Sequence, residues 1–314
     1  SKVPSKDLTW EKTDQFDAGI DFSFFNSVLT GSLDYYHKKT SDLLWEISVP
    51  SYIGQSTQLQ NLGSLSNQGV ELSLNASLIN KKDFQWDMNF NISTNRSKVL
   101  SLGPDQEKPV GEHWGGYYSS ILKVGSPVGL FYGQVYEGVL TQQDIDAGNL
   151  SARPGDPKFK NIPDDPNNST VIGNANPDFF GGLGTTVAYK GISLNAFFQY
   201  SVGNDVMNLN SAYFLPGNAN VNCYRELAEK MWTPENPDTD VARPGNSYIY
   251  SVDSRFVENG SFLRLSSLTL AYDLPRNLLQ YIGLASARVY ATGNNLFNIC
   301  NYRGYDPEVS LYST

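Results

Sequence analysis

The feature that most constrains this chain is a strict two-residue alternation, held over two consecutive stretches between Asn67 and Thr94. Val70, Leu72, Leu74, Ala76 and Leu78 take every second position, with Glu71, Ser73, Asn75 and Ser77 between them. After Ile79-Asn80-Lys81-Lys82-Asp83 the pattern resumes. Phe84, Trp86, Met88, Phe90 and Ile92 are interleaved with Gln85, Asp87, Asn89, Asn91 and Ser93. Side chains alternate across a β-strand, so the spacing predicts a hairpin with one apolar and one polar face. The turn holds Asn and Asp but no Asn-Gly pair, which predicts a loop of about four or five residues. Each strand runs to about ten residues, where a soluble strand averages about five or six and a tilted membrane-spanning strand needs about 9–11. That length points to the wall of an outer-membrane barrel.

The pattern recurs along the chain. Phe16, Ala18, Ile20, Phe22 and Phe24 share one parity, and after Phe25-Asn26-Ser27 it continues through Leu29, Gly31, Leu33 and Tyr35. A third hairpin is predicted through Leu183, Thr185, Val187 and Tyr189, turning at Lys190-Gly191 and returning through Ile192, Leu194, Ala196, Phe198 and Tyr200. In a fourth, Leu263 and Leu265 lie on one parity and Leu268, Leu270 and Tyr272 on the other, which predicts a bulge near Ser266. Its connection, Pro275 to Leu284, reads as a short helical turn, and its return strand as Ala287 to Asn295.

Connection lengths alternate. Short ones fall near 25–27, 79–83, 190–191 and 274–285, and long ones near 38–67, 95–178, 202–260 and from 296 onward. Short turns on one rim and long loops on the other are the pattern of outer-membrane barrels. Phe22, Phe24, Phe84, Trp86, Tyr189 and Tyr272 gather near strand ends, as an interfacial girdle would, although aromatics favour strands in any case. In the last long connection but one, Tyr224, Leu227, Ala228 and Met231 predict a short helix from Cys223 to Trp232.

Composition agrees with this fold class. Only 18% of the 314 residues are charged, 13% are aromatic, and Tyr (19) outnumbers Phe (16). No run of about 18 apolar residues marks a transmembrane helix, an absence that leaves barrels open because alternation conceals their hydrophobicity. A net charge of -9 argues against a nucleic-acid partner, which requires a basic face. The opening SKVPSKDLTW has no apolar signal-peptide core, so an exported protein of this sequence is expected to be mature or a piece of something longer. Cys223 and Cys300 are placed in loops; an oxidising compartment would permit a disulfide, and unpaired thiols are the simpler reading.

No catalytic constellation emerges. The two histidines, His37 and His113, lack ligands at metal spacing, and there is no nucleophile elbow or phosphate loop. FFGGLGTT (179–186) precedes a strand instead of opening a helix, so its glycines read as relief of crowding in a barrel wall. Asp156, Asn161, Asp164, Asp165 and Asn167 form an oxygen-rich loop, but Pro163 and Pro166 interrupt it, and a solvated acidic loop is the expectation. No metal or cofactor is implied. Trp114, Tyr117, Tyr118 and Tyr213 are loop aromatics suited to stacking on sugar rings or gripping peptide; packing among loops competes with that role.

Particular strings then resemble one family. DLTWEKTDQFDAGIDFSFFNSVLTGSLDYYHKKTSDLL, LGSLSNQGVELSLN, GSPVGLFYGQVYEGV, VIGNANPDFFGGLGTTVAYKGISLNAFFQYSVGNDV, MWTPENPDTD, FVENGSFLRLSSLTLAYDLP and ARVYATGNNLFNICNYRGYDPEVS are similar, in order, to the late-barrel region of SusC/RagA-type TonB-dependent transporters of the Bacteroidetes outer membrane. The resemblance implies an all-β, antiparallel transmembrane barrel, with about eight strands here out of about 22. It implies short periplasmic turns and long extracellular loops, all within one barrel domain over 1–314. Plug, early strands and last strand are expected to lie outside this sequence. It further implies a SusD-like surface lipoprotein as partner, energy from TonB, contact with outer-membrane lipid, and import of an oligosaccharide or, failing that, a peptide. The family's glycine-rich acidic loop is replaced here by NIPDDPNN (161–168), so no ion site carries over. The rival reading, a soluble secreted β-sandwich that binds glycans, should show many Lys and Glu on its exposed faces; the polar positions here are mostly Ser, Thr, Asn, Gln and Asp.

Overall fold

The computed structural model of the chain describes residues 5, 7–48, 57–112, 117–148, 150–160, 168–216, 221–245, 252–281 and 283–308. Four strands come first: β1 (Lys12–Phe24), β2 (Leu29–Ser48), β3 (Thr57–Asn80) and β4 (Phe84–Leu102). Next are β5 (Glu107–Glu112), β6 (Tyr118–Lys123), β7 (Leu130–Gly133), β8 (Tyr136–Val139), helix α1 (Gln142–Gly148), β9 (Pro157–Phe159) and β10 (Thr170–Asn174). The hairpin of β11 (Phe179–Tyr189) and β12 (Ile192–Val202) is followed by β13 (Asp205–Met207), a 3-10 helix (Leu209–Phe214), α2 (Arg225–Lys230), a 3-10 turn (Ser254–Phe256) and β14 (Val257–Asn259). The chain continues through β15 (Phe262–Asp273), α3 (Arg276–Gln280) and β16 (Arg288–Cys300). Two compact units result: residues 1–103, 176–204 and 259–314 form one, and 104–175 with 205–258 the other.

The first unit is a single antiparallel sheet in the order β1-β2-β3-β4-β11-β12-β15-β16. Its register joins the apolar positions into unbroken rows. One runs Ile20, Leu33, Leu72, Ile92, Gly181, Tyr200, Leu263, Ile299 across all eight strands. The next runs Phe22, Gly31, Leu74, Phe90, Leu183, Phe198, Leu265, Phe297. The bulge predicted near Ser266 is present: both neighbours of β15 shift register there, which returns Leu268 to the apolar face. The eleven residues of β11, at about 3.3 Å each and a tilt of about 40°, give an apolar band roughly 25 Å tall, the height of a membrane barrel's lipid-facing belt.

This apolar face is uncovered. Ile20 is 66% exposed, Leu270 53%, Val289 62% and Ile299 63%. A soluble sandwich would bury such a face under a second sheet, and an apolar surface of this extent marks a contact with another apolar phase. At the short-turn end, Phe84, Tyr189 and Tyr272 fall in one register row on this face, with the Phe84 and Tyr189 rings tilted at 60° and 6.4 Å apart. The Trp86 indole N–H donates to Thr185 Oγ1 (3.0 Å), so its polar atom is satisfied inside the band. Three of the six aromatics expected in a girdle thus share a row; Trp86 lies one row in, Phe24 in the row of Ala76 and Met88, and Phe22 in that of Leu74 and Phe90.

Two expectations change. The long loop expected near 38–67 is mostly strand: β2 and β3 stay paired up to Ser48 and Thr57. Register slips between Thr40 and Leu44, with Asp42 at φ +58°, break the alternation and so hide the pairing from a period-2 reading. The connections expected as loops near 95–178 and 202–260 hold a folded unit with its own core, including Tyr117, Ile121, Leu140, Ile145, Phe159, Val252 and Phe256. Its strands pair as β10-β7-β6-β5, β8-β9 and β13-β14. The two chain segments are joined where Gln134 N–H donates to Val252 O (2.9 Å) and Ser254 N–H to Gln134 O (2.9 Å). Smaller adjustments follow. The helix expected from Cys223 to Trp232 spans only Arg225–Lys230, its last carbonyl taken by Asn236 Nδ2 (3.2 Å) and Thr239 Oγ1 (2.5 Å). The return strand runs to Cys300, so that cysteine ends β16 and is not in a loop; both cysteines are free thiols.

Candidate functional site

The polar parity of the sheet makes a second continuous surface. Asp21, Ser32, Ser73, Asn91, Gly182, Gln199, Arg264 and Asn298 form one of its rows. On β1 to β4 this face carries Asp17, Asp21, Asp34, Glu71 and Asp87, and Asp34 lies directly opposite Glu71 in the register. Opposed like charges disfavour pairing unless water screens them. The face therefore needs water as much as the other needs an apolar phase. In a membrane barrel the two demands are met by the interior and by lipid. Near the short turns the polar face is hollowed into a cavity of about 740 Å³ lined by Gln85, Thr186, Asn195, Thr269, Arg288 and Tyr290, among others. Arg288 there donates to Ser193 Oγ (2.8 Å) and pairs with Asp273 (3.4 Å).

Of the four loop aromatics expected from the sequence, the three described fall at different depths. Trp114 lies outside the described residues. Tyr117 is 7% exposed, packed in the core of the second unit. Tyr118 opens β6 opposite Glu112 and is half-buried. Tyr213, on the 3-10 helix, is 41% exposed, beside the exposed pair Phe214 and Tyr224 (5.0 Å between ring centroids). Of the oxygen-rich loop, 161–167 lie outside the described residues, as does His113. Asp156 is engaged, pairing with Arg243 and accepting from Arg153 N–H (2.8 Å). Trp232 lies against Gly155, whose φ of +85° and absent Cβ make room for the indole. The MWTPENPDTD string thus builds the frame of this unit.

Within the same unit the Arg255 guanidinium sits 4.4 Å from the Tyr136 ring and holds the fully buried Asp253 through Nη2 (2.7 Å). Burial pushes the Tyr136 phenol up to about 12, against the opposing pull of Arg255, and its O–H donates to Asp240 O (2.6 Å). A second hollow, about 690 Å³, is bordered by Glu137, Glu229, Lys230, Asp238 and Asp240. Among the described residues no cluster of His, Cys, Asp or Glu has metal-binding geometry. One group was passed over at the level of sequence. Arg264, between Leu263 and Leu265, stands on the polar face, and parity alone was the signal for it.

The profile of the family described as TonB dependent receptor-like, beta-barrel matches residues 2–296. TonB-dependent receptor P3 of Formosa agariphila is 36% identical over 315 residues, covering 96% of this chain and 31% of the relative. TonB-dependent receptor SusC of Bacteroides thetaiotaomicron is 32% identical over 320 residues, covering 98% and 30%. Among solved structures, the RagAB peptide transporter superposes with a TM-score of 0.82 at 28% identity, over 98% of this chain and 34% of that one. The chain thus spans about a third of the length of the relatives it matches. By its profile match, its relatives and its fold, the chain belongs to the TonB-dependent receptor β-barrel family, in its SusC/RagA type.

Proposed function

We propose that this chain forms part of the wall and mouth of an outer-membrane importer that draws its energy from TonB and works with a SusD-like surface lipoprotein. The family is one of receptors and transporters, not enzymes, so no reaction chemistry enters the account. The observation that carries the reading is the two-sided sheet, apolar rows on one face and hydrated acidic rows on the other. Such a sheet, with its apolar face uncovered, fits a place between lipid and an aqueous passage. The location follows as the outer membrane of a Bacteroidetes-like Gram-negative bacterium. Both compact units are assigned to one barrel domain, since the second is built from segments that leave and rejoin the sheet at the ends of β4, β11, β12 and β15.

The cargo is an oligosaccharide in the first reading, gripped by the loop aromatics Trp114, Tyr118 and Tyr213, of which Tyr213 is exposed and Tyr118 half-buried, while Tyr117, packed in the core, supports the loop from beneath. A peptide is the second reading, favoured by the likeness to the RagAB peptide transporter. The test uses the full-length transporter in cells supplied with labelled oligosaccharides or a peptide digest, with and without TonB. Saturable uptake of one class, lost on TonB depletion and on removal of 209–245 while outer-membrane abundance is kept, is the expected result. The 209–245 segment is also proposed to dock the lipoprotein: uptake that survives TonB depletion would leave a passive pore, and co-purification of the lipoprotein unchanged by the deletion would remove the segment from docking.

A further inference from the structure

Arg264 does more than line the polar face. Its Nη2 meets Asp306 Oδ1 at 2.6 Å and its Nη1 meets Glu308 Oε2 at 2.6 Å, both on the segment that follows β16. Gln199, the register partner of Arg264 on β12, donates from Nε2 to the other Glu308 oxygen (3.1 Å) and is itself approached by Ser266 Oγ (3.4 Å). The Arg264 side chain is only 11% exposed, and its guanidinium lies 5.2 Å from the Phe262 ring. Glu308 N–H also donates to Asp306 Oδ1 (2.9 Å), and Pro307 between them is buried. Charge-assisted contacts from one guanidinium to two carboxylates are strong polar contacts, and here the guanidinium is largely buried while Asp306 and Glu308 keep a side open to solvent.

The consequence is a strap. Asn301–Glu308 is bound to the polar face two residues inside the end where the long connections leave, because Arg264 is the third residue of β15. Next to the anchored Asp306 stands Tyr305, which is wholly exposed among the described residues (105%). A tyrosine held open on a fixed backbone has little ordering entropy left to lose when a ring or planar group stacks on it.

We propose that Arg264 is a positioning residue for cargo: it fastens the Asn301–Glu308 strap to the inner wall and so presents Tyr305 to the ring or peptide planes of cargo entering the passage. This rests on the importer reading, and the test separates the two. In the full-length transporter in outer membranes, trypsin cleavage after Arg303 reports whether the strap is fastened, without any cargo. Bound backbone resists proteases because cleavage requires local opening. Arg264→Gln should speed appearance of the fragment ending at Arg303 at least tenfold. The swap of Arg264→Glu with Asp306→Arg and Glu308→Arg should restore much of the resistance. Tyr305→Ala should leave resistance unchanged but raise the half-saturating concentration for uptake of starch-derived oligosaccharides or casein peptides at least fivefold, with Tyr305→Trp close to the parent. An Arg264→Gln transporter as resistant as the parent would overturn the strap. Parent-like uptake by Tyr305→Ala would overturn its role in cargo binding. A parent that takes up neither nutrient class would count against the importer reading and, with it, Tyr305's role, while the trypsin result would still decide the strap.

Discussion

At the scale of single residues, the wall depends on small side chains placed under large ones. Gly181 on β11 lies beneath the Tyr200 ring, and the Tyr200 O–H donates to Asn91 O on β4 (2.8 Å), crossing the intervening strand. A Cβ at Gly181 would collide with the Asn91 carbonyl, which is backbone and cannot yield cheaply. Gly181→Ala should therefore cost about 1–3 kcal/mol, as overpacking does. Tyr200→Phe removes only the hydrogen bond and should cost about 1 kcal/mol. Urea titration of the full-length protein refolded into bilayers measures both. The sequence already pointed to crowding relief by the glycines of FFGGLGTT. It did not show which ring fills the space, because Tyr200 reaches Gly181 through cross-strand register and not through neighbourhood in the chain.

At the scale of elements, α1 shows how a short helix is held by its start. Thr141 Oγ1 accepts from Asp144 N–H (3.2 Å), Asp144 Oδ2 accepts from Thr141 N–H (2.9 Å), and Lys158 pairs with Asp144 Oδ1 (2.8 Å). This reciprocal cap satisfies amides that a helix leaves open. The Lys158 hydrogen bond foremost, then those from Thr141, hold the Asp144 carboxyl down at about 2, below its ordinary 3.8. A group whose folded value is depressed stabilises above its ordinary range and loses that contribution as pH falls through the folded value. Amide-exchange protection of α1 should thus stay level from pH 7 to about pH 4.5 and decline toward pH 2, and Thr141→Ala should weaken it by about 1 kcal/mol at neutral pH. A decline centred near pH 6 would point to another group. Such caps are local and lie open in the sequence. The pairing of Gln134 with the 252–254 segment is not, since 118 residues separate Tyr136 from the Ser254 hydroxyl that its N–H reaches. Long, regular alternation made the barrel strands legible, down to the parity switch at Ser266. Strands of three to six residues carry too few periods to be read, and so the second unit passed for loops.

At the scale of the whole molecule, the sheet has two free edges, since β1 and β16 each pair on one side only among the described residues. In hydrocarbon each unpaired backbone group costs several kcal/mol, so open sheets do not cross membranes. Further strands, from the same polypeptide or another, must pair with both edges. Alternate amides of β1 and β16 that point away from β2 and β15 should then be as protected from exchange in the membrane-embedded transporter as those that point toward them. Rapid exchange on the outer edges would show an open sheet. The central claim, that the apolar rows meet lipid and the polar rows meet water, is tested most directly at one pair of neighbours. Leu74 packs in the row with Phe90, and Asn75 faces the opposite side with Asn89. Leu74→Arg and Asn75→Arg are to be compared by urea titration of the full-length transporter folded into bilayers. The account predicts a loss of about 2–4 kcal/mol for Leu74→Arg and little change for Asn75→Arg. Equal losses, or a larger one at Asn75, would contradict it.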